Sequence, residues 1–268
     1  MLPELVIGFG LGIAIAMLAW RAGALSASGA VAAAVTGGLI FGLGGARWAV
    51  LLLLFFFTSS GLSQLFGRQK SKLAEKFSKG SRRDWAQVCA NGGLGALLAV
   101  GHGFWPEQAW IWVAYAGAMA GVNADTWSTE LGVLSRTPPR LITTGKIVER
   151  GESGGVSLMG TLAALGGAGI IGAGAAALAP EQGVWSLLAA TSLGGLTGSL
   201  FDSLLGATLQ AIYYCPTCQK ETERHPRHTC GDQTTLQRGW RWLNNDLVNL
   251  ACSIAGGGLA VVIWALVS

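Results

Sequence analysis

Charge is scarce in this chain of 268 residues: 18 Lys and Arg with 14 Asp and Glu make up 12% of the sequence, roughly half the usual share. So little polar material cannot clothe a soluble globule, which argues against a secreted or cytosolic enzyme. Proline is scarce too, at 7 residues, and the 41 glycines follow no three-residue period, so collagen-like and low-complexity chains are set aside. Cysteines are too few and too unevenly placed for a disulfide framework. Cys215, Cys218 and Cys230 cluster with His225 and His228, whereas Cys89 and Cys252 stand alone in apolar surroundings. The net charge of +4 is small, its Lys and Arg fall in short clusters between apolar runs, and no nucleic-acid groove is implied. What the chain does have is hydrophobic side chains, at 51% with mean hydropathy +0.48, and glycine, the composition of closely packed membrane helices.

A membrane span needs about 20 mostly apolar residues. Eight segments meet that length, at about 2–20, 24–45, 48–66, 86–104, 108–132, 156–179, 184–210 and 243–267. The sequence therefore predicts one all-α integral membrane domain over 1–268, a polytopic bundle of about eight transmembrane helices. A loop insertion occupies 211–242. The first run begins with Glu4 rather than a basic segment and has no distinct small-residue cleavage site, so it reads as a retained helix and not as a signal peptide. Threading eight spans alternately places Arg21 and the segments 67–85, 133–155 and 211–242 on one face, which then holds 17 of the 18 Lys and Arg. Short basic loops stay cytoplasmic, so both termini are expected outside and the three long loops inside, as in a bacterial inner membrane. The seven basic residues of RQKSKLAEKFSKGSRRD serve that orientation and meet anionic lipid.

A faint internal repeat accompanies this layout. GALSASGA at 23–30 matches GGVSLMGT at 154–161 with Gly, Ser and Gly in register, and Asn91 and Asn249 each open an apolar helix. The pattern suggests a parallel 4+4 arrangement with a site where the halves meet.

Ionisable residues inside spans are costly, and each needs a reason. In GVNADTWSTELG, Asn123, Thr126 and Glu130 share a helix face and Asp125 projects from the adjacent one. In TGSLFDSLLGATLQ, Ser199, Asp202, Gly206 and Gln210 follow one stripe, and LNNDLVN places Asn245 and Asn249 one turn apart beside Asp246. All of these converge on the cytoplasmic side. A single Asn or Ser there can be interhelical glue, and Asp246 can act as a helix cap. Several carboxylates at one depth instead suit Mg²⁺, giving Asp125, Glu130, Asp202 and Asp246 as candidate ligands.

The loop PPRLITTGKIVERGESGGVS supplies the opposite charge. Arg140, Lys146 and Arg150 precede Ser153, Gly154, Gly155 and Ser157 at the start of the sixth helix, where backbone N–H groups can approach an anion. Thr143, Thr144 and Gly145 join that phosphate-binding set, together with Asn91, Asn123, Asn245 and Asn249. No Walker A loop is present, since Ile147 follows Lys146. CPTC and HPRHTCG offer Cys215, Cys218, Cys230 and either His225 or His228 to a structural Zn²⁺, with His228 preferred, and a redox CxxC is the runner-up.

Taken together, SASGA, FFFTSS, GVNADTWSTELG, GESGGVS, GSLFDSLLGA and NNDLVN resemble the integral membrane family called domain of unknown function 92, over nearly the whole chain. That family includes transmembrane protein 19 and the phytyl-phosphate kinase of tocopherol salvage, and the CPTC and HTCG insertion resembles that of its bacterial branch. The resemblance implies phosphoryl transfer from CTP or another nucleoside triphosphate to an isoprenyl monophosphate such as phytyl phosphate. The residues fit such chemistry: Mg²⁺ at the acidic cluster to bridge donor phosphates, Lys146 and Arg150 to neutralise transferring charge, and the Gly154–Gly155 turn to cradle phosphate oxygens. A transporter, or a lipid-phosphate-binding protein without catalysis, remains the alternative.

Overall fold

The computed structural model describes residues 2–66, 75–80 and 82–268. Arg68, Lys70 and Lys72 of the basic loop lie outside these. Eight long helices follow one another among the described residues: α1 Leu2–Arg21, α2 Ala27–Gly44, α3 Ala46–Leu65, α4 Trp85–Phe104, α5 Ala109–Gly132, α6 Leu158–Leu178, α7 Val184–Thr208 and α8 Asn245–Val267. Each falls within about three residues of its expected span.

Six of them, α1, α2, α3, α6, α7 and α8, are long and apolar enough to cross a membrane by length and composition. Their outward faces carry Leu2, Val6, Leu18, Val31, Leu162 and Leu266, all exposed. α4 and α5 are long enough but less apolar, so of the eight expected spans these two are not marked out by composition. For α5 the reason is its position. It is buried without a break from Ile111 to Ala124, packed by α3, α4, α6, α7 and α8, so its surroundings are protein. Glycine makes this possible: a Cβ on Gly117 would stand 2.4 Å from Ala260 Cβ of α8.

The all-α expectation is also corrected, by two small sheets. β1 (Arg140–Leu141) pairs antiparallel with β2 (Gly155–Val156), and β3 (Ile212–Cys215) lies between β4 (Lys220–Thr222) and β5 (Thr235–Arg238). Both lie at the end of the bundle where the basic loops emerge.

At that end α2, α4, α6 and α8 all begin, and each is capped by a side chain. Ser26 accepts from Gly29 N, Asp84 from Gln87 N within a reciprocal capping box, Ser157 from Gly160 N and Asn244 from Leu247 N. Four helix N-termini thus direct their positive ends to one region. The matched caps at Ser26 and Ser157 account for the sequence similarity of 23–30 with 154–161. Packing in the halves differs, however. α5, α6, α7 and α8 form a close four-helix cluster, whereas among the described residues α3 has no comparable contact with α4. The opposite end is closed: Tyr115 stacks on Trp48 with centroids 4.3 Å apart and donates to Trp48 O at 2.8 Å, and Arg47 meets Glu181 at 2.9 Å.

Candidate functional site

A cavity of about 240 Å³ opens at the loop-rich end, lined by residues at the N-termini of α4, α6 and α8. The last turns of α5 bring Asp125, Thr129 and Glu130 to it, and α7 brings Asp202 and Ser203. Asn91 of α4 and Asn245 and Asn249 of α8 stand on the other walls, and Arg150 with Ser153, Gly154, Gly155 and Ser157 forms its rim. The structure thus gathers much of the sequence-derived set. Asp202 is the most telling member, because its buried Oδ2 has no hydrogen-bond partner among the described residues. A buried carboxylate oxygen left in that state fits a cation. Glu130 accepts from Ser63 Oγ at 2.9 Å.

The Gly154–Gly155 turn is held on both sides. Ile142 N donates to Gly154 O at 3.0 Å, and Leu141 pairs with Gly155 in the short ladder. Gly154 has φ 84°, and a Cβ there would stand 2.5 Å from Ala207 Cβ of α7. Gly154→Ala should therefore lower stability by at least about 2 kcal/mol, combining left-handed strain with the clash. Thermal unfolding in detergent measures it, and Gly145→Ala, with φ 68° but open space around it, should do less.

Other expected members lie elsewhere. Asn123 is fully buried in the core, where its Oδ1 accepts from Thr58 and Ser59 and its Nδ2 donates to Gly167 O at 2.8 Å. Its bonds join α3, α5 and α6, so it ties helices together instead of facing ligand. Thr143, Thr144, Gly145 and Lys146 are exposed at the tip of a tight turn, outside the cavity lining, because Gly145 N and Lys146 O both bond back to Leu141. Asp246 is also outside the lining: its Oδ2 accepts from Lys79 Nζ at 2.5 Å in the first turn of α8. The four proposed Mg²⁺ carboxylates do not converge on one point. Among the described residues, the group of three or more ligating atoms close enough for a single ion is a Cys and His set. Arg150 lines the cavity, but its Nη2 donates to Ser135 O at 2.6 Å, so part of the guanidinium braces the loop.

Several cavity residues went unread in the sequence. Lys79 bridges Asp246 and the α4 cap Asp84, at 2.5 and 2.9 Å. Burial works against its charge, but the hydrogen bonds to Asp246 and Asp84 prevail and raise its pKa above the usual lysine value, whereas Asp84, despite its own burial, is lowered by Gln87 N and Lys79. Arg83 stands with its guanidinium carbon 5.4 Å from the centre of the Phe55 ring; burial pushes it down to about 10, against the attraction of Glu130. Glu223 reaches the cavity from the 211–242 insertion and accepts from Gln210 Nε2 at 2.9 Å, while Ser153 Oγ donates to Gln210 Oε1 at 2.8 Å. The polar stripe on α7 thus ends in a residue that joins the glycine loop to the insertion.

Within that insertion the ligand atoms of Cys215, Cys218, His228 and Cys230 all lie within 4.8 Å of one another. All five cysteines are free, and Cys215 Sγ and Cys230 Sγ are 3.6 Å apart. Both ring nitrogens of His228 are buried with no hydrogen-bond partner among the described residues, whereas His225 stacks on Tyr213 at 4.4 Å. His228 is thus the histidine placed to ligate, and the cluster could hold a metal ion.

The family described as integral membrane protein DUF92 matches residues 10–257. The chain is 37% identical over 228 residues to "Protein PGR" of Arabidopsis thaliana, covering 77% of this chain and 79% of that one. It is 30% identical over 250 residues to an uncharacterized membrane protein of Methanocaldococcus jannaschii, covering 93% and 90%. "Protein VTE6, chloroplastic", also of Arabidopsis thaliana, is 26% identical over 247 residues, covering 89% of this chain and 65% of the relative. No solved structure matches the chain. A match running from α1 into α8, with caps, cavity and glycine loop all inside it, means that the chain belongs to the DUF92 family of integral membrane proteins.

Proposed function

We propose that this protein is an isoprenyl-phosphate kinase. It transfers the terminal phosphoryl group of CTP, or another nucleoside triphosphate, to an isoprenyl monophosphate such as phytyl phosphate, giving the diphosphate. The carrying observation is a polar cavity lined by Asp125 and Asp202 together with the Gly154–Gly155 turn, close to the N-terminus of α6. The resemblance set out above supplies the reaction class. All eight helices cross the membrane in this reading, α5 sheathed by the others, with the loop-rich end cytoplasmic and both termini outside.

In the reaction an oxygen of the lipid monophosphate forms a bond to the terminal phosphorus of the nucleotide. The bond from that phosphorus to the bridging oxygen breaks, and the nucleoside diphosphate departs with the electron pair. The acceptor is already an anion, so no strong general base is needed, and catalysis reduces to positioning and charge neutralisation. Asp125 and Asp202 would hold Mg²⁺, which supplies charge neutralisation at the donor phosphates and polarises the phosphorus being attacked. The N–H groups of the Gly154–Gly155 turn and the start of α6 receive phosphate oxygens. Arg150 adds a fixed positive charge at the rim, while Lys146, on its exposed turn, stays outside. Zn²⁺ bound by Cys215, Cys218, His228 and Cys230 would stabilise the insertion that carries Glu223.

A transporter reading would call for helices broken near the midplane and access from both sides. Among the described residues each long helix is continuous, and Trp48, Trp112 and Tyr115 pack the far end. The test is incubation of purified protein with labelled CTP or ATP, Mg²⁺ and a panel of prenyl monophosphates. Labelled prenyl diphosphate is the expected product, and its absence with every donor and acceptor, from protein that is folded and metal-loaded, would sink the kinase reading.

A further inference from the structure

Beside the polar cavity lies a second one of about 240 Å³, walled by apolar side chains of α1, α2, α3 and α4, among them Ile15, Ala33, Leu52 and Phe56. The two are not independent. Arg83, Gln87 and Asn91 line both, so they form a neck between an apolar groove and the carboxylate cavity. Arg83 is fixed there by its backbone: its N donates to Ala24 O and its O accepts from Ser26 N, each at 3.0 Å, and a Cβ on Gly29 would stand 2.1 Å from that same oxygen. Its guanidinium rests over the rings of Phe55 and Phe56, at 5.4 and 5.8 Å, and the carboxylate whose attraction it feels is Glu130, across the polar cavity. A cation held over aromatic rings of α3, with the N-termini of α2 and α4 beside it, can receive an anion. The groove leading away from it calls for hydrocarbon.

We propose that this groove holds the isoprenoid chain of the acceptor, with the chain's phosphate at Arg83, Gln87 and Asn91. The inference rests on the kinase reading and places its lipid substrate. Gly8 and Ala19 of α1 both line the groove, so at about 1.5 Å rise per residue it runs roughly 17 Å along the helix. That length suits several isoprene units and leaves most of the groove empty for a single one. Leu11 and Val50 on its rim are 46% and 48% exposed on the outer surface of the bundle, so the groove opens sideways and a lipid can enter from the bilayer without leaving hydrocarbon. Chain-length preference is accordingly set by α1 to α4, and the chemistry by α5, α7 and the glycine loop.

Gly37 and Gly92 line the groove and supply the test. A Cβ on Gly37 would stand 3.9 Å from Leu52 Cδ2, and one on Gly92 4.0 Å from Thr36 Oγ1, so neither position demands glycine for backbone packing and a larger side chain occupies the groove. The probe is a geranylgeranyl monophosphate with a diazirine at the end of its chain, photolysed with the full-length protein in lipid nanodiscs and mapped by mass spectrometry. Labelling should fall on the groove walls of α1, α2 and α3 and be competed by unlabelled geranylgeranyl monophosphate. Gly37→Leu and Gly92→Leu should each reduce it at least ten-fold without changing thermal unfolding. Arg83→Gln should weaken labelling by the monophosphate but not by the corresponding prenyl alcohol. Labels confined to the outer faces of α6 and α7, or indifferent to both glycine variants, would overturn the assignment. Groove labelling without diphosphate formation from any nucleotide supports the groove and defeats the kinase; transfer with labels outside it does the reverse.

Discussion

Asp125→Asn and Asp202→Asn are each expected to cut phosphoryl transfer by about 100-fold or more while leaving a folded, membrane-inserted protein. An amide has almost the shape of a carboxylate but cannot neutralise a divalent cation. For Asp202 the argument is sharpest, because its buried Oδ2 has no hydrogen-bond partner among the described residues, so little protein packing depends on its charge. The measurement is initial rate against Mg²⁺ concentration for both variants, with thermal unfolding as the control. Two further substitutions calibrate it. Lys146→Ala, exposed and outside the cavity lining, should change the rate less than about three-fold, and Asp246→Asn should lose stability through its contact with Lys79 before it loses chemistry. If the two cavity variants keep near-normal transfer, or if activity persists after rigorous Mg²⁺ removal, the carboxylates are structural and metal-assisted transfer fails.

Those contrasts also mark what sequence reasoning could reach. Asp125, Asp202, Asn91 and Asn249 were legible because polar groups in apolar helices are expensive, and their depth in each span placed them at one end. The helices themselves followed from apolar length alone. Asn123 misled for the same reason that Asn91 did not: an amide satisfied by Thr58, Ser59 and Gly167 looks identical in sequence to one facing a ligand. Only the partners tell them apart, and they come from α3 and α6, far along the chain. Lys79 and Arg83 were hidden by a sufficient simpler explanation, since a basic loop already accounts for its charges through orientation. Glu223 was hidden because β4 has three residues and acquires its place only by pairing with β3 and docking on residues 75–78. α5 shows the limit of composition: the helix at the centre of the bundle is surrounded by protein, so its hydropathy does not mark it as a span.

Metal removal at the insertion should have the largest effect on stability, and the reason lies in how little else holds it. Three strands of three or four residues have no core of their own, so the free energy of binding a four-ligand zinc ion, of order 10 kcal/mol, would be mostly folding free energy for this segment. The segment is also an anchor. Glu223 N donates to Lys76 O at 2.9 Å, Thr222 Oγ1 to Glu75 O at 2.7 Å, and Arg238 donates to Gly206 O at 2.6 Å and to Ser153 O at 3.4 Å. Through those bonds the insertion clamps the start of the glycine loop to the end of α7. Purified protein should contain about one Zn²⁺ per chain. Cys218→Ser should abolish it, lower the unfolding temperature, and raise amide exchange over Tyr213–Glu223 and Glu75–Gly80, with exchange in α5 unchanged. Turnover per folded molecule should fall less than stability, because Arg238 and Glu223 support the loop and leave Asp125 and Asp202 on their helices. His225→Ala should keep the metal, since His225 stacks on Tyr213 outside the ligand set. A metal-free preparation that keeps the same exchange protection over Tyr213–Glu223 would mean the strands support themselves and the cysteines serve another purpose.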